Sequence, residues 1–283
     1  MQVFLNGQII KEEDAKISIS DLSYQFGYGL FETVRCEQGV PLFFESHFKR
    51  LTHSAREIKM PFPISLEEVK SWIKDTLSAN KLKSARVKII ISKKVEDKFN
   101  VLILASLPEQ LPGSYSLLAK TLSRDHNSIS FKHKTTSRAD SYVAYKEALD
   151  AGFNDVLYLN EKNEIIECTR ANIFLVLENK VITPSLESGI LSGVTREKVI
   201  EVAKEGNILI EEKNVHSLYL NKAKDVFITN AIIGLMPISK VKLQDKELTF
   251  LHDSMTIRLK NGYDACIQEY LKKSLDLSLT SLR

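Results

Sequence analysis

Long apolar runs are missing from this sequence, cysteine is sparse, and neither sign of charge dominates. No stretch reaches the roughly 18 consecutive apolar residues that span a bilayer, and no basic-plus-apolar segment opens the chain as a secretory signal would. A membrane partner is therefore not expected. The three cysteines, Cys36, Cys168 and Cys266, are odd in number and far apart. That excludes a disulfide framework and any metal-type spacing, so a reduced, cytoplasmic compartment without a bound metal is expected. Thirty-nine basic residues face 36 acidic ones, a formal charge of +3, and the two are mixed along the chain. No basic block is dense enough to neutralise many phosphates, which argues against a nucleic-acid surface. Small anionic ligands, needing only two or three placed donors, stay compatible. What is present is ordinary globular material: 43% hydrophobic and 27% charged over 283 residues, enough for one large domain or two smaller ones.

Along the chain, residues 1–10 read as a hairpin around Gly7. The segment FGYGLFETVR places Gly27 and Gly29 in a turn that needs backbone freedom, and residues 31–35 with 39–44 suggest a second hairpin. Apolar residues at Phe44, Phe48, Leu51, Ala55 and Ile58 trace one helical face. Ser65 and Glu68 form a capping box for the next helix. Strands are expected at 86–92 and 100–106. LPEQLPG, with two prolines and a glycine, marks a boundary at 108–114 between a domain of residues 1–107 and one of 115–283 that ends in a helix. In the second domain, strands are expected at 115–121, 155–159, 165–167, 173–177, 181–183, 208–211 and 226–229, with helices at 141–152, at 195–204 and beyond 251. This mixture lacks strict strand–helix alternation, so the class is α+β.

Three polar clusters sit at turns. SGILSGVTR, residues 188–196, leads into a helix whose start offers N–H groups and a positive dipole end to an anion. Taken alone it is equally a capped helix. In IIECTRANIF, residues 165–174, Glu167 interrupts an apolar strand, and a buried carboxylate needs a donor; a structural ion pair serves as well as a ligand. TNAIIGLMP, residues 229–237, follows a strand and reads as a loop carrying Thr229 and Asn230.

Taken in order, these segments resemble the class IV aminotransferase family of pyridoxal-phosphate enzymes, fold type IV. It contains branched-chain aminotransferases, D-amino-acid transaminases and 4-amino-4-deoxychorismate lyases. The resemblance runs from Phe4 to about Val241. It rests on the turn from Asp21 to Glu32, on His47 to Leu51, on Glu167 to Phe174, on Leu191 to Arg196 and on Thr229 to Ala231. It implies a small α/β sandwich domain and a larger pseudo-barrel domain, pyridoxal 5'-phosphate as cofactor, and a homodimer. The family's Schiff-base lysine lies about 18 residues before the glycine ending the next helix, and counting back from Gly152 gives Lys134. Lys132, two residues away on the same face of an extended segment, and Lys146, within the helix, are its rivals.

By the same resemblance Arg50 binds the cofactor phosphate, its planar fork suiting phosphate oxygens. Val194, Thr195, Thr229, Asn230 and Ala231, with the Ile232 amide, complete the phosphate cup, and Glu167 faces the pyridine nitrogen. Where the family often has Asp between the two glycines this chain has Tyr28, a substrate-side candidate. The N-A-I-I-G-L-M-P loop and Lys134, Ser137 and Arg138 are similar to the lyases, and Ala139 stands where branched-chain enzymes place Tyr. The implied reaction converts 4-amino-4-deoxychorismate to 4-aminobenzoate and pyruvate, a folate-precursor step, with Lys134 also moving protons. A branched-chain or D-amino-acid aminotransferase is the alternative, and a non-catalytic relative a remote one. Arg138 and Arg170 are candidates for the substrate carboxylates or ordinary surface arginines. His47, His133 and His216 are expected to be structural.

Overall fold

A computed structural model of the chain describes residues 1–94, 98–122 and 128–280, the last four as backbone alone. It divides into two compact units. The first comprises Met1–Gln110, His133–Arg138 and Ile267–Arg283, the second Leu111–Lys132 and Ala139–Cys266. This differs from one cut at 108–114 in two places: a six-residue stretch around Lys134, and the last turns of the C-terminal helix, join the first unit.

The first unit begins with the hairpin β1 (Gln2–Leu5) and β2 (Gln8–Lys11). A short helix, α1 (Leu22–Phe26), follows, then β3 (Gly29–Glu37) and β4 (Val40–Pro41). Helices α2 (Phe44–Glu57) and α3 (Leu66–Ala79) precede β5 (Ala85–Lys93) and β6 (Phe99–Ser106). The six strands form an antiparallel sheet in the order β2-β1-β6-β5-β3-β4. Alternation decides its faces: Leu30, Val34 and Cys36 on β3 and Val87, Ile89 and Ile91 on β5 are buried. They pack with Phe44, Leu51 and Ala55 of α2 and Val69, Ile73 and Leu77 of α3. The α3 capping box forms as expected, the Ser65 side chain accepting from the Glu68 amide and the Glu68 carboxylate from the Ser65 amide. Asp21 caps α1 and also accepts from Ser92 Oγ and Asn100 Nδ2, both at 2.6 Å, pinning the turn to β5 and β6.

The second unit contains β7 (Tyr115–Thr121), α4 (Ile129–Lys132), α5 (Ala139–Asp150), β8 (Asp155–Leu159), β9 (Glu164–Cys168), β10 (Asn172–Val176) and β11 (Val181–Pro184). It continues through α6 (Val194–Glu205), β12 (Ile210–Lys213), β13 (Val215–His216), β14 (Asp225–Asn230), β15 (Gly234–Leu243) and β16 (Lys246–Thr249), and ends in α7 (Ser254–Thr280). Ten strands form one mixed sheet ordered β12-β11-β10-β14-β15-β7-β8-β9-β13, with β16 on β15. The strands at its two ends, β12 and β13, are joined through a single residue, Asn214. A one-residue link cannot cross a flat sheet, so the sheet curls on itself into a barrel. Every residue of β8, β10, β11 and all but the last of β14 is buried, and Phe174 stacks on Phe227 at 4.8 Å.

Two expectations change. Residues 234–237 open a ten-residue strand, β15, instead of continuing a loop; Pro237 and the lysines that follow hide the buried set Leu235, Met236, Ile238 and Val241. Lys132 ends the helix α4, so it does not share an extended face with Lys134. Residues 123–127 of the polar stretch before Lys134 lie outside the described residues. No described helix is long and apolar enough to cross a membrane.

Candidate active site

Strands β7 and β8 are parallel, so a crossover must join them, and that crossover carries Lys134. Its six-residue stretch lies against β3 of the first unit. The Phe31 amide donates to the Lys134 carbonyl and the Thr136 amide to the Gly29 carbonyl, each at 2.9 Å. The glycines of the turn make room for this approach. A Cβ on Gly27 would come within 2.9 Å of the Ser137 Cβ, and Gly27 has φ +65° besides. One on Gly29 would crowd Ser23 and Thr136. Thr136 Oγ1 donates to the Gly27 carbonyl at 2.8 Å and accepts from Ser23 Oγ. With its backbone held on both sides, Lys134 places Nζ 4.6 Å from the centre of the Phe31 ring.

Beside this segment lies a buried ionic network. Glu32 on β3, 1% exposed, accepts from Arg50 Nε at 2.8 Å, Arg50 Nη2 at 2.7 Å and His47 Nδ1 at 2.8 Å. Burial alone would raise the Glu32 carboxyl, but the Arg50 charge and the hydrogen bonds from His47 and Arg50 outweigh it and hold it well below the usual carboxylate range. An ionised Glu32 can only accept, so His47 carries its proton on Nδ1. Burial, opposed by Glu32 and aided by the Arg50 and Lys134 cations, lowers the His47 pKa. The pair is thus a hydrogen bond between a carboxylate and a neutral imidazole. His133 meets Ser54 at 3.0 Å. The Tyr28 hydroxyl donates to the Ile58 carbonyl at 2.7 Å, which commits it to the end of α2.

The outward face of the same sheet holds a residue that the sequence did not single out. Lys88 on β5 is half-buried, with Nζ 4.9 Å from the Phe31 ring centre. Burial lowers its pKa, and Arg86 and Arg138 push the same way. Its cross-strand neighbours are Thr33 and Leu104, and among the described residues no carboxylate pairs with it. In sequence Lys88 is one polar residue of an alternating strand, a pattern that ordinarily means a solvated side chain, so no local signal marks it.

In the second unit, Glu167 on β9 is partly buried and accepts from the Leu191 amide at 3.0 Å. Helix α6 starts after Gly193 with no side-chain cap. A Cβ on Gly193 would run into Asn172 Oδ1, while Asn172 Nδ2 donates to the Leu191 carbonyl at 3.0 Å. Asn172 pairs in register with Thr229 on β14, so the start of α6 and the end of β14 flank one side chain. Val194 and Thr195 are buried there, and Thr229, 1% exposed, keeps Oγ1 without a hydrogen-bond partner among the described residues. Uncapped helix amides beside a buried hydroxyl suit an oxyanion such as phosphate.

Asn230 shapes the loop that follows β14. Its Oδ1 accepts from the Ile232 and Ile233 amides and its Nδ2 donates to the Arg170 carbonyl at 3.1 Å, so the side chain shapes the loop around Ala231. Arg170 lies 3.8 Å over the Tyr145 ring and 3.9 Å from Asp155. Burial keeps the Asp155 pKa raised despite Arg170 and the Thr169 hydrogen bond. Arg196 is buried and donates to the Pro184 carbonyl and Glu212, anchoring α6. Of the rival lysines, Lys132 and Lys146 are both exposed.

The family model described as amino-transferase class IV matches residues 29–241. The Bacillus subtilis aminodeoxychorismate lyase is 26% identical over 253 residues, 85% of this chain and 86% of that protein. A Methanocaldococcus jannaschii protein named as a branched-chain-amino-acid aminotransferase is 29% identical over 255 residues, 85% of this chain and 88% of its own. A branched-chain aminotransferase of Thermoproteus uzoniensis, solved with norvaline, superposes with a TM-score of 0.87 at 26% identity, covering 98% of this chain and 97% of that one. The chain belongs to the class IV aminotransferases, pyridoxal-phosphate-dependent enzymes of α+β, two-domain architecture.

Proposed function

We propose that the protein is a 4-amino-4-deoxychorismate lyase, releasing 4-aminobenzoate and pyruvate. The observation that carries the reading is the cationic face beside Lys134. Lys88 and Lys134 share the Phe31 ring there, and Arg86 and Arg138 each lie close enough to act on Lys88. An aliphatic amino acid offers one carboxylate to such a face, whereas aminodeoxychorismate offers two. Asn230 and Ala231 in the loop after β14, and Ala139 after the lysine segment, support the same choice.

Arg50, Thr195, Thr229 and the amides of Val194 and Ala231 are assigned to the cofactor phosphate, and Glu167 to the pyridine nitrogen. Lys134 is assigned to the covalent attachment. The bound cofactor supplies an electron sink for charge developing at the substrate carbon. The Leu191 amide holds one oxygen of the Glu167 carboxylate, and the backbone bonds on either side of Thr135 fix where Lys134 begins. Lys134 Nζ then serves as proton carrier, taking the proton from the ring carbon that bears the amino group as the bond to the enolpyruvyl oxygen breaks. It returns a proton to the methylene of the departing enol, giving pyruvate. Aromatisation of the ring drives the step, so placement is the protein's main contribution. Lys88 and Arg138 hold the carboxylates, with Arg170 a further candidate.

Purified protein loaded with cofactor, given aminodeoxychorismate, is expected to release 4-aminobenzoate and pyruvate in equal amounts. Amino-group exchange between an amino acid and a 2-oxo acid, without 4-aminobenzoate, would instead establish the aminotransferase reading. A homodimer in the cytoplasm fits this assignment. Exposed Ile17, Ile19, Tyr24 and Phe26 on the first unit are the apolar surface that supports association.

A further inference from the structure

We infer that Glu32 and His47 are positioning residues for the cofactor, setting the orientation and charge of Arg50 without touching the ligand themselves. The inference rests on the assignment of Arg50 to the cofactor phosphate. Glu32 grips the guanidinium along one edge, through Nε and Nη2. A planar guanidinium gripped on one edge has no freedom to swing about its last torsions, so the entropy of fixing a long side chain is spent before the ligand arrives.

His47 fixes the other end of the arrangement. It lies one helical turn before Arg50 on the same face of α2, and its Nδ1–H reaches the Glu32 oxygen that also accepts from Nη2. Three donors on a carboxylate that is 1% exposed leave it one rotamer. A neutral His47 adds a hydrogen bond without a second positive charge, so the net charge of the three groups stays near zero until an anion binds. Arg50 can then sit part-buried, with 12% of its side chain exposed, and still be balanced. The same strand ties the network to the reactive lysine, because the residue before Glu32 donates its amide to the Lys134 carbonyl. Only a short strand step separates the group that orients the phosphate from the backbone that carries Lys134.

The test compares pyridoxal phosphate with pyridoxal, which lacks the phosphate, binding to the apoprotein and read by visible absorbance. Their affinity ratio isolates the phosphate contact. E32Q and H47L are expected to cut the ratio by about tenfold or more, while pyridoxal binding stays unchanged. H47N, which keeps a donor near the Nδ1 position, should restore most of it. A merely structural role would lower the apoprotein melting temperature and weaken both ligands alike, leaving the ratio intact, and that outcome overturns the inference. R50A separates the two readings. If R50A collapses the ratio but E32Q and H47L do not, Arg50 holds the phosphate unaided. If R50A also leaves the ratio intact, the Arg50 assignment itself fails. Should E32Q not fold, H47L against H47N decides alone.

Discussion

Replacing Thr229 by Val should stabilise the apoprotein and weaken cofactor binding, two effects of opposite sign from one atom. The side chain is 1% exposed and its hydroxyl has no partner among the described residues. Leaving a buried polar group unsatisfied costs about 1–3 kcal/mol. Val keeps the shape and removes the group, so taking the lower end gives the apoprotein about 1 kcal/mol, or roughly 2–4 °C in melting temperature for a chain of this size. With phosphate bound the wild-type hydroxyl gains a charge-assisted hydrogen bond, worth about 1.5–3 kcal/mol. Relief of the unpaired hydroxyl and the new bond together make binding about 2.5–4 kcal/mol weaker in the variant, roughly a 70- to 900-fold rise in Kd. Calorimetric melting of the apoprotein and titration with pyridoxal phosphate measure the two effects. An apoprotein that melts lower than wild type, with cofactor affinity changed by less than about threefold, would refute the reasoning, since Thr229 would then be an ordinary packed residue.

The other expectations concern separate parts of the molecule. G193A should lose cofactor affinity and stability together, because the new methyl meets Asn172 Oδ1 at the start of α6; a Kd and melting point near wild type would show that the helix start tolerates displacement. K88M should raise KM for the substrate about 10- to 100-fold by removing one charge-assisted carboxylate contact, with kcat nearly kept and melting unchanged or slightly higher, measured by initial rates and melting. Stability should fall in two stages on acidification. The folded state keeps His47 neutral below its ordinary value of 6.5, so stabilisation present above that pH erodes as the unfolded chain takes up a proton. Glu32 is held below its ordinary 4.5, so its contribution is full above that pH and is lost as pH falls toward its folded value. E32Q should remove the lower stage from a melting-temperature profile between about pH 7 and pH 3.

The elements with strong local signals were legible before the fold was known. The face Phe44, Leu51 and Ala55 of α2, the Ser65 box of α3 and the strands of residues 115–121 and 155–159 all appear where periodicity and capping put them. β15 was not, because its buried residues come from packing between β14 and β7 and are interrupted by Pro237. Motif order indicated Lys134, Arg50, Glu167 and the α6 start as candidates, but their partners are long-range. Glu32 is 18 residues from Arg50 and Asn172 is 19 from the carbonyl it holds. Lys88 was invisible for a further reason: its neighbours Arg86 and Arg138 converge only once β5 and the crossover are folded. The bonds that Asn230 makes back to its own loop are likewise not revealed by composition.

The first unit is assembled from three stretches of chain, and this bears on how it is made. Residues up to Gln110 leave the ribosome without the segment that carries Lys134, and without the turns of α7 that bury Ile267 and Leu271. Between Gln110 and Leu271 lie about 160 residues, roughly 8–32 s of synthesis at the usual ~5–20 residues per second. Over that interval the sheet has its strands but lacks a closing piece, and the Phe31 amide has yet to meet the Lys134 carbonyl. A nascent chain stalled before Leu271 should therefore present the first unit to proteases and chaperones as an unfinished sheet, and completion of the second unit's sequence is a precondition for the first to close.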